Sequence, residues 1–269
     1  MVKRSPILTF LRELFFPPKC AACQTLLEWR TPSQAHSPRE ALCATCLKKW
    51  ENEQQETCGI CTKKVTECLC VPTAMQKAGC RGFCKLVYYS PRKSEPVQNR
   101  LIYHIKRHSD EKTPTFLAAQ LLPTIMKYLE ENQIDPSSAI FTYLPRSGRS
   151  ALQYGTDQAK TLARALSKQS GIAFSRLILR NRGANRAQKT LSAAERLDNA
   201  KMSFRPANDK SCKNCTVLLV DDLVTTGAGM AICAKHLYKM GADNVFCIAI
   251  ASDETNKDTM PHAKSSKKN

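Results

Sequence analysis

The chain has 269 residues, a formal net charge of +18 and 42% hydrophobic residues. That length suits one large domain with a small one, and the apolar content is sufficient for a buried core. Glycine and proline are not in excess, which argues against a low-complexity chain.

The basic excess is unevenly distributed. Residues 151–215 contain thirteen basic and four acidic residues, so this quarter of the chain carries half of the net charge. A solvated basic surface would explain it, but we favour a surface that meets an anionic substrate or nucleic acid.

The N-terminal segment 5–18 predicts neither a secretory signal nor a membrane span. Arg12 and Glu13 interrupt its apolar run, and no small-residue cleavage site follows. Residues 7–16 instead predict a short amphipathic helix ending at Pro17. Because no window approaches 18 uninterrupted apolar residues, we expect a cytoplasmic protein without membrane insertion, whose fourteen cysteines stay reduced.

Cysteines dominate the N-terminal third, with ten of them between residues 20 and 84. Two Cys-x2-Cys pairs are separated by 19 residues, a zinc-ribbon spacing: Cys20, Cys23, Cys43 and Cys46. Large apolar side chains are few here, so Zn²⁺ would supply folding energy that a small core cannot. Residues 1–84 are therefore predicted to form an N-terminal helix and a Cys-rich zinc ribbon, either single or double.

A second group of cysteines has looser spacing. It forms either a second, smaller metal site or a degenerate one, and its members are Cys58, Cys61, Cys68 and Cys70. Cys80 and Cys84 are interpreted either as core residues or as substitute ligands. Cys212 and Cys215 are interpreted as surface thiols in preference to a redox pair.

From residue 85 the pattern changes to helices that alternate with apolar strands. Helices are predicted around 97–105, 117–129, 159–166 and 230–240, and strands at 139–145, 177–179, 217–220 and 245–251. This alternation predicts an α/β fold with a doubly wound parallel sheet over residues 85–255, followed by a lysine-rich disordered tail at 256–269. Ligands of such sheets bind at the carboxyl ends of the strands.

The most informative stretch is 217–229, where an apolar strand ends in Asp221 and Asp222. A turn of small and hydroxyl residues follows, and a helical pattern begins at once. Backbone N–H groups of such a turn and of the helix N-terminus bind a phosphate, while carboxylates accept hydrogen bonds from sugar hydroxyls or bind a metal. An ordinary buried strand with a tight turn would not need two successive carboxylates. The stretch therefore predicts a site for a phosphorylated ribose.

This stretch resembles the phosphoribosyl-pyrophosphate (PRPP) motif of type I phosphoribosyltransferases, although Gly229 stands where threonine is common. A second segment resembles the loop that meets pyrophosphate: Leu144, Pro145, Arg146, Ser147 and Arg149. With the paired cysteines, the order of these features resembles the ComF family, also called the GntX type, from Phe15 to about Ser252. Members of that family join a double zinc ribbon to a phosphoribosyltransferase-like domain. Residues 154–157 depart from the family pattern.

The resemblance implies transfer of phosphoribose to an acceptor that the sequence does not identify. The 5′-phosphate of PRPP would lie in the loop of Thr225, Thr226, Gly227, Ala228 and Gly229. Asp221 and Asp222 would hold the ribose hydroxyls beside Mg²⁺, and Arg146 with its loop would face the departing pyrophosphate. Asp221, Asp222 and Arg146 are thus the predicted catalytic residues. The basic segment 180–196 would close over the site.

A second class of function stays open, namely a non-catalytic module that binds single-stranded DNA or a protein partner and keeps a PRPP pocket for sensing or as a vestige. The resemblance implies a role near DNA uptake, with single-stranded DNA and DNA-uptake or helicase proteins as partners. The oligomeric state is not predicted.

Overall fold

A five-stranded parallel sheet organises the part of the chain that the computed structural model describes, which comprises residues 15–27, 41–89, 96–107, 110–146, 157–181, 203–207, 211–253 and 259–260. The helices are α1 (Ala44–Glu53), α2 (Thr73–Gln76), α3 (Val97–Arg107), α4 (Lys112–Glu131), α5 (Gln158–Ser170) and α6 (Ala228–Lys239). The first six strands are β1 (Val71–Pro72), β2 (Gly82–Cys84), β3 (Val87–Tyr89), β4 (Ala139–Tyr143), β5 (Ala173–Phe174) and β6 (Ile178–Arg180). The others are β7 (Phe204–Pro206), β8 (Thr216–Val220), β9 (Leu223–Val224), β10 (Asn244–Ile248), β11 (Ala251–Asp253) and β12 (Thr259–Met260).

The main sheet has the strand order β2-β10-β8-β4-β5, and all of its neighbouring strands are parallel. In the register, Val220 at the end of β8 lies opposite Tyr143 of β4 and Ile248 of β10. The predicted parallel α/β sheet is confirmed. Its carboxyl edge therefore brings together the segments that follow β4, β8 and β10.

Helices cover both faces of this sheet, as the sequence of β8 requires. All five residues of β8 are buried, and they alternate between two cores because successive side chains of a strand point to opposite faces. Leu218 and Val220 pack in the core that includes α4 and α5. Val217 and Leu219 pack in the core that includes α6.

The predicted helix boundaries follow local capping chemistry. Asp157 caps α5, since its Oδ1 accepts the Lys160 N–H at 3.3 Å. The helix ends at Gly171, which has the left-handed φ of 76° that glycine adopts without strain. The helix thus extends beyond the predicted range of 159–166 at both ends.

The prediction of one continuous strand over 245–251 is wrong. Strand β10 ends at Ile248, and β11 pairs in parallel with β3 and β9 in a separate three-stranded sheet. The change of direction has a backbone cause: the carbonyl oxygen of Asp222 accepts the N–H groups of both Ile250 and Ala251, at 3.2 and 3.3 Å. This contact redirects the chain beside the two carboxylates.

The cysteine-rich region packs against the sheet and its helices. Trp50 of α1 is fully buried, and its Nε1 donates to Gln120 Oε1 of α4 at 2.7 Å. Strand β2 pairs with β10 as an edge of the main sheet, although it precedes the predicted domain boundary at residue 84. That boundary stays a prediction.

The cysteines outside the two predicted clusters are mostly core residues. Cys80 and Cys84 are buried, as the first interpretation had it. Cys212 is buried as well and its Sγ donates to the Leu237 carbonyl at 3.4 Å, so its interpretation as a surface thiol is wrong. Within the described residues, no helix combines the length and apolar character that a membrane span requires. The predicted helix at 7–16 and the tail lie almost wholly outside those residues.

Candidate functional site

The two predicted ligand loops meet at the carboxyl edge of the sheet. Because β4 and β8 are neighbours, the N–H of Leu144 donates to the Val220 carbonyl at 2.9 Å, and the N–H of Asp221 donates to Ile248 at 2.9 Å. The loop after β4 and the acidic pair after β8 therefore start at the same level of the sheet.

Asp222 is the centre of a buried charge cluster. Its Oδ2 accepts a hydrogen bond from Arg146 Nη2 and lies 3.7 Å from Lys106 Nζ at the end of α3. Its Oδ1 accepts the Leu223 N–H at 3.0 Å. Three elements that are distant in sequence thus converge on one carboxylate, which fixes two cations at the sheet edge.

Asp221 has a different environment although it is the adjacent residue. It is half-buried, and its Oδ1 accepts the Asp222 N–H at 2.8 Å. Burial and the neighbouring Asp222 charge raise the pKa of Asp221 well above its usual range. A cation or hydrogen-bond donor brought by a ligand would favour its charged form. Asp221 is thus suited to meet a ligand, while Asp222 is already engaged by protein cations.

The loop before α6 is shaped by Gly227, which is buried and has a φ of 74°. A Cβ at this position would lie 2.6 Å from Met75 Sδ and 3.4 Å from Pro72 Cβ. Thr225 and Thr226 are exposed. The backbone N–H of Ala228 points to Thr226 Oγ1, and the nitrogen and oxygen are 3.4 Å apart. The N-terminal N–H groups of α6 follow a glycine that has no side chain to cap them. The loop thus combines hydroxyls with a helix N-terminus.

Two polar residues support the loop after β4. The N–H of Arg146 donates to Asp157 Oδ2 at 3.3 Å, and Arg180 Nη1 donates to the Pro145 carbonyl at 3.4 Å. The guanidinium of Arg180 lies 5.0 Å from the centroid of the Phe204 ring, and burial lowers the pKa of Arg180. Both residues hold the backbone that presents Arg146.

The structure brings together most of the predicted site residues. One edge of the sheet carries Asp221, Asp222, Arg146 and the loop 225–229. The loop lies close to the segment after β4, since a Cβ added at Gly229 would be 3.4 Å from Leu144 Cδ2. Ser147 and Arg149 fall outside the described residues, as does the predicted lid from residue 182 onward. Lys106 is not among the predicted site residues, because a single lysine at the end of a helix is usually solvated.

The first cysteine cluster consists of Cys20, Cys23, Cys43 and Cys46. All four sulfur atoms lie within 4.8 Å of one another, and those of Cys23 and Cys43 are 3.7 Å apart. A tetrahedral zinc with Zn–S bonds of about 2.3 Å requires sulfurs about 3.8 Å apart. The donor set therefore fits Zn²⁺.

The second cysteine cluster consists of Cys58, Cys61, Cys68 and Cys70. Its sulfur atoms also lie within 4.8 Å of one another. The first pair of each cluster forms the same turn. The residue after the second cysteine of the pair, Gln24 or Thr62, has a positive φ, and its N–H donates to the backbone carbonyl of the pair's first cysteine at 2.9 Å. The geometry of this group could therefore hold a metal ion, as its interpretation as a second site requires.

One thiol in each cluster has a lowered pKa. The hydroxyl and backbone of Thr25 lower the pKa of Cys23 to about 6. Burial raises the pKa of Cys58, but hydrogen bonds from the backbone, that of Cys61 first, outweigh it and bring the pKa to about 6. Since metals bind the thiolate, these two residues are ready ligands.

The comparisons with known proteins give no family. No family model matches the chain, and no curated protein matches it. Among solved structures, a purine phosphoribosyltransferase from Pyrococcus horikoshii matches at 13% identity and a TM-score of 0.29, over 52% of this chain and 85% of its own. A hypoxanthine phosphoribosyltransferase from Staphylococcus aureus matches at 10% identity and a TM-score of 0.33, over 61% of this chain and 77% of its own. At these identities and TM-scores no residue role is transferred to this chain.

Proposed function

We propose that this is a ComF-type phosphoribosyltransferase-like protein that binds PRPP with Mg²⁺ and transfers phosphoribose to a nucleophile still to be identified. The observation that carries the proposal is the convergence of Asp222, Arg146 and the loop before α6 at the carboxyl ends of adjacent parallel strands. Parallel sheets bind phosphorylated ligands at this edge.

The proposed ligand is held in two parts. Its 5′-phosphate accepts hydrogen bonds from the backbone and hydroxyls of Thr225–Gly229 at the N-terminus of α6. The ribose hydroxyls donate to Asp221 and Asp222. Each carboxylate oxygen has two lone pairs, so Asp222 retains accepting capacity beside its protein partners.

The pyrophosphate faces the cations. Arg146 and Lys106, both anchored on Asp222, would stabilise the negative charge that develops on the leaving group. The adjacent carboxylates also offer the oxygen donors that Mg²⁺ prefers, and Mg²⁺, when bound with PRPP, supplies further positive charge to the pyrophosphate. The roles of Ser147 and Arg149 in the same loop remain predictions from the sequence.

The decisive experiment is calorimetric titration of the full chain with PRPP in the presence and absence of Mg²⁺. Asp221→Asn keeps the side-chain shape and removes the charge, and it should weaken PRPP binding about ten- to a hundredfold, because a charge-assisted hydrogen bond contributes about 1.5–3 kcal/mol. Asp243→Asn is the matched control, since Asp243 is exposed beside the opposite end of β10.

Two outcomes would contradict the proposal in different ways. If the wild-type protein shows no Mg²⁺-dependent PRPP binding, the pocket is vestigial and the enzyme proposal fails. If the wild-type protein binds PRPP and Asp221→Asn binds equally well, the placement of the ribose is wrong.

We further propose one structural Zn²⁺ in each cysteine cluster. Metal analysis of the reduced protein should give two zinc ions per chain, and Cys20→Ser or Cys58→Ser should each remove one. A folded, reduced preparation without zinc would refute both sites.

A second candidate function, binding of single-stranded DNA in a cytoplasmic DNA-uptake pathway, is favoured by exposed lysines beside both clusters. Lys48 and Lys49 follow Cys46, and Lys63 and Lys64 follow Cys61. Fluorescence anisotropy with an oligonucleotide should show an affinity that falls steeply with salt, and Lys63→Gln with Lys64→Gln should flatten that dependence. An unchanged salt slope would exclude these lysines as phosphate contacts.

A further inference from the structure

A buried lysine lies against the second cysteine cluster. Lys85, in the link between β2 and β3, is only 3% exposed. Its Nζ lies 3.3 Å from Cys68 Sγ and 3.4 Å from the Cys68 carbonyl oxygen. A long lysine usually extends its amine to water, so a lysine buried to this extent requires a specific partner.

Among the described residues, the other neighbours of this amine are aromatic rings. Its Nζ lies 5.1 Å from the centroid of the Phe83 ring and 5.7 Å from that of Tyr88, which are weakly favourable contacts for a cation. No carboxylate of the described residues forms an ion pair with it. Among the described residues, Cys68 is thus the group within hydrogen-bond distance of the Lys85 amine that can carry a full negative charge.

The charge of a loaded cluster explains this arrangement. Four thiolates around one Zn²⁺ carry a net charge of −2, and a buried site of that charge is costly without a compensating cation. An ammonium that donates a hydrogen bond to one ligand sulfur lowers the net charge and orients that ligand. Among the described residues, no lysine or arginine donates to a sulfur of the first cysteine cluster, so that cluster serves as an internal reference.

We propose that Lys85 is the counter-charge of the second cysteine cluster and that it selectively strengthens zinc binding there. The inference rests on the zinc site proposed above and does not depend on PRPP binding. Backbone contacts already fix the cluster beside the sheet, since the N–H of Phe83 donates to the Leu69 carbonyl, between Cys68 and Cys70, at 3.3 Å. The ammonium therefore acts on a ligand sulfur held at a fixed position.

The test uses the full chain with both zinc ions bound. Lys85→Met keeps the apolar length of the side chain and removes its charge, Lys85→Arg keeps the charge, and Lys64→Met is the control at an exposed position beside the same cluster. A chelator is titrated in, cysteines that lose zinc are alkylated, and mass spectrometry quantifies alkylation of each cluster's peptides separately. Loss of an outer partner of a ligand typically weakens metal binding about ten- to a hundredfold.

In Lys85→Met, we expect peptides of the second cluster to become alkylated at ten- to a hundredfold lower chelator activity than in the wild type. The peptides of the first cluster should behave as in the wild type. In Lys64→Met, the peptides of both clusters should behave as in the wild type. Equal protection of the second cluster in Lys85→Met and wild type would overturn the proposal. If Lys85→Met does not fold, Lys85→Arg decides: a folded protein with two zinc ions supports the need for charge, and loss of the second zinc or of folding refutes it.

Discussion

Replacing Gly227 with alanine tests the shape of the loop before α6. Alanine would have to adopt the left-handed φ of 74°, which costs about 1–2 kcal/mol for a residue with a Cβ. The new Cβ would also lie 2.6 Å from Met75 Sδ and 2.8 Å from Met75 Cγ, so this fully buried side chain would have to move. Since overpacking of a core typically costs about 1–3 kcal/mol, the total loss of unfolding free energy should be about 2–5 kcal/mol.

The matched control is Gly229→Ala, two residues further along. This glycine lies in α6 outside the left-handed region. An added Cβ would meet the Leu144 side chain alone, with Cδ2 at 3.4 Å and Cδ1 at 3.7 Å. Alanine in a helix is favoured over glycine by about 0.5–1 kcal/mol, so this variant should be as stable as the wild type or slightly more so.

Urea denaturation with saturating zinc measures both effects, and titration with PRPP follows on the same samples. Gly227→Ala should unfold at a lower urea midpoint and bind PRPP more weakly. The reasoning fails if Gly227→Ala and Gly229→Ala have the same midpoint, because the strain and the contact with Met75 would then be absent.

Two further predictions concern α3 and the start of α4. Lys106→Met should weaken PRPP binding roughly two- to fivefold, as expected for a partly exposed ion pair, and leave ribose 5-phosphate binding unchanged in calorimetry. Equal losses for both ligands would show that the contact of Lys106 with Asp222 is only structural. Asp110 accepts the Thr113 N–H at 2.7 Å and contacts His104 Nε2 at 2.7 Å. Burial raises the pKa of Asp110, but these hydrogen bonds outweigh it, so the pKa in the folded protein is lowered. The resulting stabilisation is therefore complete above the unfolded pKa of about 4 and is lost as the pH falls through the lower folded pKa. Asp110→Asn replaces charge-assisted hydrogen bonds by neutral ones and should therefore reduce the unfolding free energy by about 1 kcal/mol at pH 7. The difference between the thermal midpoints of the two proteins should shrink below about pH 4. A pH-independent difference would contradict this assignment.

The sheet and its acidic edge could be predicted because their signals are local. The apolar run of β8 is followed at once by Asp221 and Asp222, and burial on both faces leaves few alternatives to a central parallel strand. The cysteine spacing likewise encodes a local turn, which explains why both clusters assemble as their pairs predict.

The contacts that complete the site could not be predicted from local sequence patterns. Lys106 and Asp222 meet only because α3 ends above the sheet edge, and no local pattern of either segment encodes that placement. Lys85 contradicts the strong expectation that lysine is exposed. The break after Ile248 depends on a carbonyl of a different loop, which the apolar run over 245–251 does not reveal.

The position of Met75 and Pro72 beneath Gly227 has a consequence for how this chain can be divided. Pro72 and Met75 follow shortly after Cys70, so the loop before α6 packs against residues of the cysteine-rich side. A fragment starting at residue 85 would lack that support and would also lack β2, which leaves β10 as an uncovered edge strand. Exposed edges of this kind pair with other copies, and such a fragment is expected to aggregate. We therefore expect the cysteine-rich segment and the sheet to fold as a single unit, which recombination with other sequences would have to exchange as a whole.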